Sequence, residues 1–91
     1  MKLKFFATYR DFTRRKEESV PAPPDVWALL TDLSERYGAD FKAKLITPDG
    51  SDVGCDTIIL VNGRNIHHLD GKNTKLTEAD VVSIFPVVAG G

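Results

Sequence analysis

The sequence has a single cysteine, Cys55, and almost no net charge. One thiol excludes a disulfide scaffold within the chain and any metal or iron–sulfur site built from several of its cysteines. The 12 basic and 13 acidic residues give a formal net charge of -1. Electrostatics therefore give no reason to expect binding to nucleic acid or to an anionic membrane surface.

Long apolar runs and targeting signals are also missing. No run approaches the roughly 20 apolar residues that cross a bilayer. The opening MKLKFFATYRDF starts basic but has no sustained apolar segment and no cleavage-site pattern, so we expect no signal peptide. A chain of 91 residues fits one domain with one hydrophobic core. We expect this domain to be cytoplasmic.

The first residues predict a β-hairpin. Apolar and polar residues alternate over Lys2–Thr8, which predicts a half-buried strand with Phe6 as one apolar residue on its polar face. The polar stretch Arg10–Lys16 predicts a hairpin loop, and Glu17–Val20 predicts the returning strand.

A helix is predicted over Pro23–Tyr37. Proline is tolerated in the first turn of a helix, and Asp25 places a negative charge where the helix dipole favours it. Gly38 is placed to stop the helix in the left-handed conformation, and Trp27 lies beside the apolar stripe. The stripe, at helical spacing, consists of Val26, Leu29, Leu30, Leu33 and Tyr37.

The second half of the chain predicts shorter elements. Residues 39–56 predict one short helical turn and otherwise loop. The apolar run Thr57–Val61 predicts an interior strand, and the Asn62-Gly63 pair is a strong hairpin signal before a partner strand over Arg64–His67. The helical turn would contain Phe41, Leu45 and Ile46.

The chain closes with a strand and a bare tail. The last strand, Val81–Phe85, is followed by Pro86, which lacks an amide proton and is expected to end the strand. The final Gly90 and Gly91 have no side chains, so the tail can enter a narrow channel and its carboxylate can be approached closely. We expect a domain at residues 1–86 and a flexible tail at residues 87–91.

The order of these elements predicts an α+β domain. One long helix can cover one face of a small mixed sheet. An N-terminal hairpin followed by a helix suits a sheet whose first and last strands lie side by side at its centre. This is the β-grasp, or ubiquitin-like, arrangement.

Four stretches of the sequence resemble the ubiquitin-like sulfur carriers MoaD and ThiS: LKFFATYRDF, PPDVWALLTDLSERYG, IILVNGRNI and TKLTEADVVSIFPVVAGG. The resemblance covers nearly the whole chain, and its ending is the most specific part. Pro86 makes that ending more similar to MoaD, the small subunit of molybdopterin synthase. Val87, where MoaD often has a second proline, and a longer Asp40–Asp56 connection depart from the pattern, so the pathway stays open.

The resemblance implies that Gly91 is the reacting residue. In that family an ATP-dependent enzyme adenylates the terminal carboxylate, and sulfur then replaces the adenylate to give a thiocarboxylate. The implied partners are a MoeB-like adenylating enzyme and a MoaE-like large synthase subunit. The chain would bind no cofactor stably, since the activating partner uses the ATP, and would not be an enzyme alone. Its reach would come from the tail residues Val87, Val88, Ala89 and Gly90.

Other functions would use the same activated terminus and stay open. Gly91 would form isopeptide bonds to lysines of other proteins if the chain is a ubiquitin-like modifier. The sulfur would be donated to a different acceptor if the carrier serves thiamine synthesis or tungsten cofactor synthesis. A third interpretation is a β-grasp binding module whose two glycines are incidental.

A partner surface is expected beside the tail. If the first and last strands are neighbours, Phe6 and Phe85 both point away from the face that the helix covers. Outward aromatic side chains mark protein interfaces, and the MoaD resemblance supports this role. Ile66 from the adjacent hairpin and Pro86 would complete the surface.

Metal binding and thiol chemistry are not expected. His67 and His68 are the only histidines, and adjacent residues on a strand face opposite ways. Cys55 is expected to be a passive small apolar group.

Overall fold

A five-stranded mixed sheet with helices packed against one face makes up residues 1–87, the part of the chain that the computed structural model describes. The strands are β1 Lys2–Phe5, β2 Glu17–Ser19, β3 Thr57–Val61, β4 Arg64–Asn65 and β5 Val81–Pro86. The helices are α1 Tyr9–Thr13, α2 Val26–Tyr37 and α3 Ala39–Leu45.

The last strand lies at the centre of the sheet, whose strand order is β2-β1-β5-β3-β4. β5 runs parallel to β1, with Val82 beside Leu3, and antiparallel to β3, with Ile84 beside Ile59. The first and last strands are therefore neighbours, as predicted, and the α+β, β-grasp prediction is confirmed.

The core lies between the sheet and α2 and α3. Every second residue of the three central strands points into it, because successive side chains of a strand face opposite sides. Each large apolar side chain that leaves water here contributes about 1.5–3 kcal/mol. The most deeply buried members are Leu3, Phe5, Val26, Leu30, Leu33, Phe41, Leu45, Val82 and Ile84, all 0% exposed.

The long helix forms where the apolar stripe predicts it, but its first turn begins later. α2 starts at Val26, and the Asp25 side chain caps it by accepting a hydrogen bond from the Ala28 amide at 2.9 Å. At the other end Gly38 has φ +93° and ψ 179°. The positive φ favours glycine, and α2 ends at Gly38 as predicted. The ψ angle lies outside the left-handed helical region, so only the predicted αL conformation was wrong. α3 begins directly after it.

The predicted loop at Arg10–Lys16 is partly helical. α1 occupies Tyr9–Thr13, and a five-residue helix has little intrinsic stability. Tertiary contacts hold it, since Tyr9 is 1% exposed and Phe12 stacks on Phe41 with ring centroids 4.9 Å apart.

The hairpin after β3 forms, but its second strand is short. Asn62 and Gly63 both have positive φ, +53° and +84°, as the predicted tight turn requires. The strand predicted over Arg64–His67 stops at Asn65, whose side chain accepts a hydrogen bond from the His67 amide at 2.9 Å. The chain then enters a 3₁₀ turn at Ile66–His68, which places Ile66 in the core at 2% exposure.

Candidate functional site

Two aromatic rings meet on the sheet face that the helices leave open. Phe6 and Phe85 pack edge to face, with centroids 5.8 Å apart and an interplanar angle of 81°. Phe6 is 37% exposed, one of the most exposed large apolar side chains among the described residues. Such a pair contributes about 0.5–1.5 kcal/mol beyond burial, so each ring fixes the position of the other.

The neighbouring strand β3 adds apolar residues to this face. Its burial alternates, with Thr57, Ile59 and Val61 buried and the two residues between them half-buried. Those two, Ile58 and Leu60, lie opposite Phe85 and Ser83 in the antiparallel register. The sequence did not predict Ile58 and Leu60 as surface residues, because an uninterrupted apolar run has no alternation that distinguishes the two faces of a strand.

Phe6, Phe85 and Leu60 line an apolar depression of about 300 Å³, which we call the outer groove. An exposed apolar surface is a common feature of protein interfaces, and this is the role that the sequence predicts for Phe6 and Phe85. The outer groove is lined by Phe6, Ala7, Leu60, Ser83, Phe85 and Pro86.

The start of α1 holds one wall of the outer groove. The Arg10 guanidinium lies over the Phe6 ring, 5.4 Å from its centroid, and Arg10 Nε donates a hydrogen bond to the Phe5 carbonyl at 2.9 Å. Between them Ala7 has φ +52°, a left-handed conformation that is uncommon for residues other than glycine. Local contacts therefore hold Phe6 at the surface.

Pro86 fits the centre of the sheet because β1 has already ended beside it. The Phe6 amide donates to the Ile84 carbonyl at 3.2 Å, and the Phe6 carbonyl then accepts from Tyr9 at the turn into α1 at 3.1 Å. No ladder bond from Pro86 is needed on that side. On the other side the Val87 amide still donates to the Asp56 carbonyl at 2.8 Å. The strand ends at Pro86, one residue beyond the predicted range Val81–Phe85.

A buried pair of hydroxyl groups, those of Tyr9 and Thr57, lies close to the bond between Val87 and Asp56. The Tyr9 hydroxyl is 2.7 Å from Thr57 Oγ1 and 3.4 Å from the Asp56 carbonyl oxygen. Thr57 Oγ1 donates to the Lys44 carbonyl at 2.6 Å, so Thr57 uses its one proton there and accepts from Tyr9. Burial raises the pKa of Tyr9, and the phenol keeps its proton at neutral pH.

The structure brings together three of the four predicted surface residues. Phe6, Phe85 and Pro86 all line the outer groove. Ile66 does not belong there: it lies in the core at 2% exposure because the chain turns after Asn65. Of the predicted tail, Val87 is described and is 48% exposed. Val88, Ala89, Gly90 and the predicted reacting residue Gly91 lie outside the described residues.

The remaining candidate residues stay apart from the outer groove. Cys55 is exposed, so it is not packed as the predicted apolar group. His67 and His68 are exposed on a 3₁₀ turn and not on a strand. Within residues 1–87, no three His, Cys, Asp or Glu side chains are grouped so as to hold a metal ion. The helices in that range are also too short or too polar to span a membrane.

With this geometry described, the chain can be compared with known proteins. The sequence profile of the ThiS family matches residues 3–91. The chain belongs to the ThiS family. ThiS-family membership confirms the resemblance to ubiquitin-like sulfur carriers drawn from the sequence.

Three relatives of this ThiS-family chain are informative. It is 39% identical to small archaeal modifier protein 3 of Haloferax volcanii, over all of this chain and 98% of the relative. It matches the solution structure of small archaeal modifier protein 1 of Methanosarcina acetivorans with TM-score 0.82 and 32% identity, covering 99% and 94% of the two chains. A Pyrococcus furiosus structure, provisionally named molybdopterin converting factor subunit 1, matches with TM-score 0.73 and 29% identity, covering 96% and 95%.

Proposed function

We propose that this ThiS-family protein carries sulfur on its C-terminus for molybdopterin synthesis. Gly91 is the reacting residue, and its carboxylate is adenylated by a MoeB-like enzyme that uses ATP. A carboxylate is a poor electrophile, whereas a mixed anhydride with AMP has a good leaving group. Attack by a sulfur nucleophile on the acyl carbon releases AMP and leaves a thiocarboxylate, which a MoaE-like large subunit then uses as its sulfur source.

The observation that carries this proposal is the position of the last described backbone bond. The Val87 amide is held by Asp56 at the end of the central strand, and Phe85, on the same strand, lines the outer groove. One partner can therefore cover the outer groove and receive the residues that follow Val87. The chain contributes presentation, and the partner contributes the catalytic groups.

A protein modifier is the second candidate. Two of the relatives are named small archaeal modifier proteins, and they are 39% and 32% identical to this chain. The molybdopterin converting factor subunit is 29% identical. In the modifier, a lysine amine of another protein attacks the adenylated Gly91 carbonyl. AMP leaves, an isopeptide bond forms, and no thiocarboxylate is made. Both functions begin with adenylation of Gly91. One experiment therefore tests this first step, and another tests what the activated carboxylate reacts with.

The first step is tested by ATP–pyrophosphate exchange with a purified MoeB-like enzyme. The wild-type chain should support exchange, and a variant that lacks Gly91 should not. Gly90→Ala adds a β-carbon next to the reacting group, and we expect exchange to fall about tenfold or more, since a misplacement of about 1 Å can cost that much. Ala89→Gly, which removes a β-carbon one residue earlier, should stay near wild type.

Melting temperatures of all variants should agree, because the changes lie beyond the domain. Exchange by Gly90→Ala at the wild-type rate would contradict entry of the tail into a narrow channel. Exchange by the variant without Gly91 would contradict the assignment of the reacting residue.

A further inference from the structure

The point at which the chain leaves the sheet is held from one side only. Pro86 donates no hydrogen bond, and β1 has ended beside it. The 2.8 Å bond from the Val87 amide to the Asp56 carbonyl is thus what fixes the direction of the backbone there. Asp56 itself precedes β3 with an exposed side chain, so its carbonyl is held in place through the next residue, Thr57, and Thr57 in turn needs support from elsewhere in the fold.

That support comes from inside the molecule. Tyr9 reaches from α1 through the core and places its hydroxyl 2.7 Å from Thr57 Oγ1 and 3.4 Å from the Asp56 carbonyl. Its ring is fixed against Phe41, with centroids 5.3 Å apart. Thr57 is paired with Pro86 across the ladder and bonds the end of α3 through Lys44. The hydroxyl therefore ties α1 and α3 to the strand position opposite Pro86.

We propose that Tyr9 is a positioning residue for the activation of Gly91, because its hydroxyl fixes the place where the tail leaves the sheet. The inference rests on the proposed function. Residues 88–91 follow Val87 in the chain, and four residues span at most about 13–14 Å. A short tether tolerates little movement at its base, so loosening Asp56 and Thr57 should disturb the alignment of the carboxylate in the partner's site.

Tyr9→Phe tests this with minimal change to the core. The ring stays in place and only the hydroxyl is lost. Tyr37→Phe is the matched control, since Tyr37 belongs to the same aromatic cluster and its hydroxyl accepts from Arg36 at 3.3 Å on the surface. Neither change touches the outer groove, so the concentration of chain that half-saturates the adenylating enzyme should stay constant.

Amide hydrogen exchange of the free protein gives a readout that does not depend on the enzyme. Tyr9→Phe removes the hydrogen bond to Thr57, the residue that follows Asp56, and should speed hydrogen exchange of the Val87 amide about fivefold relative to that of Asn62, the factor that corresponds to one lost hydrogen bond. The Asn62 amide donates to Val81 at the far end of the same ladder, so it reports global loss of stability. Equal acceleration at both amides, or none at Val87, would overturn the proposal.

ATP–pyrophosphate exchange gives the kinetic readout. Tyr9→Phe should lower the maximal rate about three- to tenfold at an unchanged half-saturating concentration, and Tyr37→Phe should change neither. A wild-type maximal rate for Tyr9→Phe would overturn the positioning role and leave the proposed function intact. A third outcome is that the wild-type chain fails to support ATP–pyrophosphate exchange while Tyr9→Phe still speeds hydrogen exchange of the Val87 amide. This would overturn the proposed function and, with it, the role of Tyr9 in activation.

Discussion

Gly54 illustrates how much a single backbone position controls in this fold. Its amide donates to the Leu45 carbonyl at 2.8 Å, and a β-carbon at this position would lie 2.3 Å from the Lys44 carbonyl oxygen. That oxygen also accepts the Thr57 hydroxyl. The missing side chain lets the loop cross the end of α3 closely enough for these bonds to form.

We predict that Gly54→Ala destabilises the protein by about 2–4 kcal/mol, because neither backbone segment can move without losing hydrogen bonds. Gly50→Ala is the comparison. It has open space around a β-carbon but φ +75°, so it should cost only about 1–2 kcal/mol. Urea unfolding measures both changes, and a Gly54→Ala cost no larger than that of Gly50→Ala would refute the close crossing.

Single residues were predicted from the sequence only where local pattern decides their position. Phe6 stood out as an apolar residue on a polar face, and the structure places it at the surface. Ile66 was misplaced because the cap that Asn65 makes with His67 ends the strand, and such a cap is not visible in a strand pattern. The close approach at Gly54 depends on how the connection after α3 folds back on the end of that helix, and no local residue pattern reveals this.

If the proposed function is right, the open face of the sheet is the element that a partner recognises. On this face Phe85 lies between Phe6 and Ile58. It makes an edge-to-face contact with the Phe6 ring and lies opposite Ile58 in the ladder. The core on the reverse side is made by different side chains of the same strands, so a change on the open face should affect binding more than folding.

Phe85→Ala should weaken binding to the adenylating enzyme about 10- to 100-fold, as a central aromatic of an interface does. Its stability cost should stay below about 3 kcal/mol, the low end for a fully buried phenylalanine, because Phe85 is only half-buried. Trp27→Ala, on the helical side, should lower the melting temperature without weakening binding. The measurements are titration calorimetry and thermal unfolding, and equal binding by Phe85→Ala and wild type would contradict the interface.

Elements with strong periodicity were predicted well. α2 and β3 follow from an apolar stripe and an apolar run, and both occur within a few residues of the expected bounds. α1 was missed because Arg10–Lys16 is polar and its helix depends on Tyr9 and Phe12 packing against Phe41. That packing places Tyr9 near Thr57, so the sequence pattern also could not predict the hydrogen bond between Tyr9 and Thr57 at the end of the central strand.

The whole molecule combines two features that neither the sheet nor the tail supplies alone. The sheet holds Val87 at the end of its central strand, and the open face offers the outer groove to a partner. If the proposed function is right, a partner recognises the folded domain and reacts only with Gly91. The chain then needs no catalytic side chains of its own.

Intact mass spectrometry of the protein from its native host distinguishes the two functions that share this design. For a sulfur carrier we predict a fraction whose mass is raised by exchange of one oxygen for one sulfur, located at Gly91 by fragmentation and lost after alkylation or hydrolysis. Gly91 found only as a free carboxylate, or joined to lysines of other proteins with no thiocarboxylate under any growth condition, would contradict the sulfur-carrier proposal.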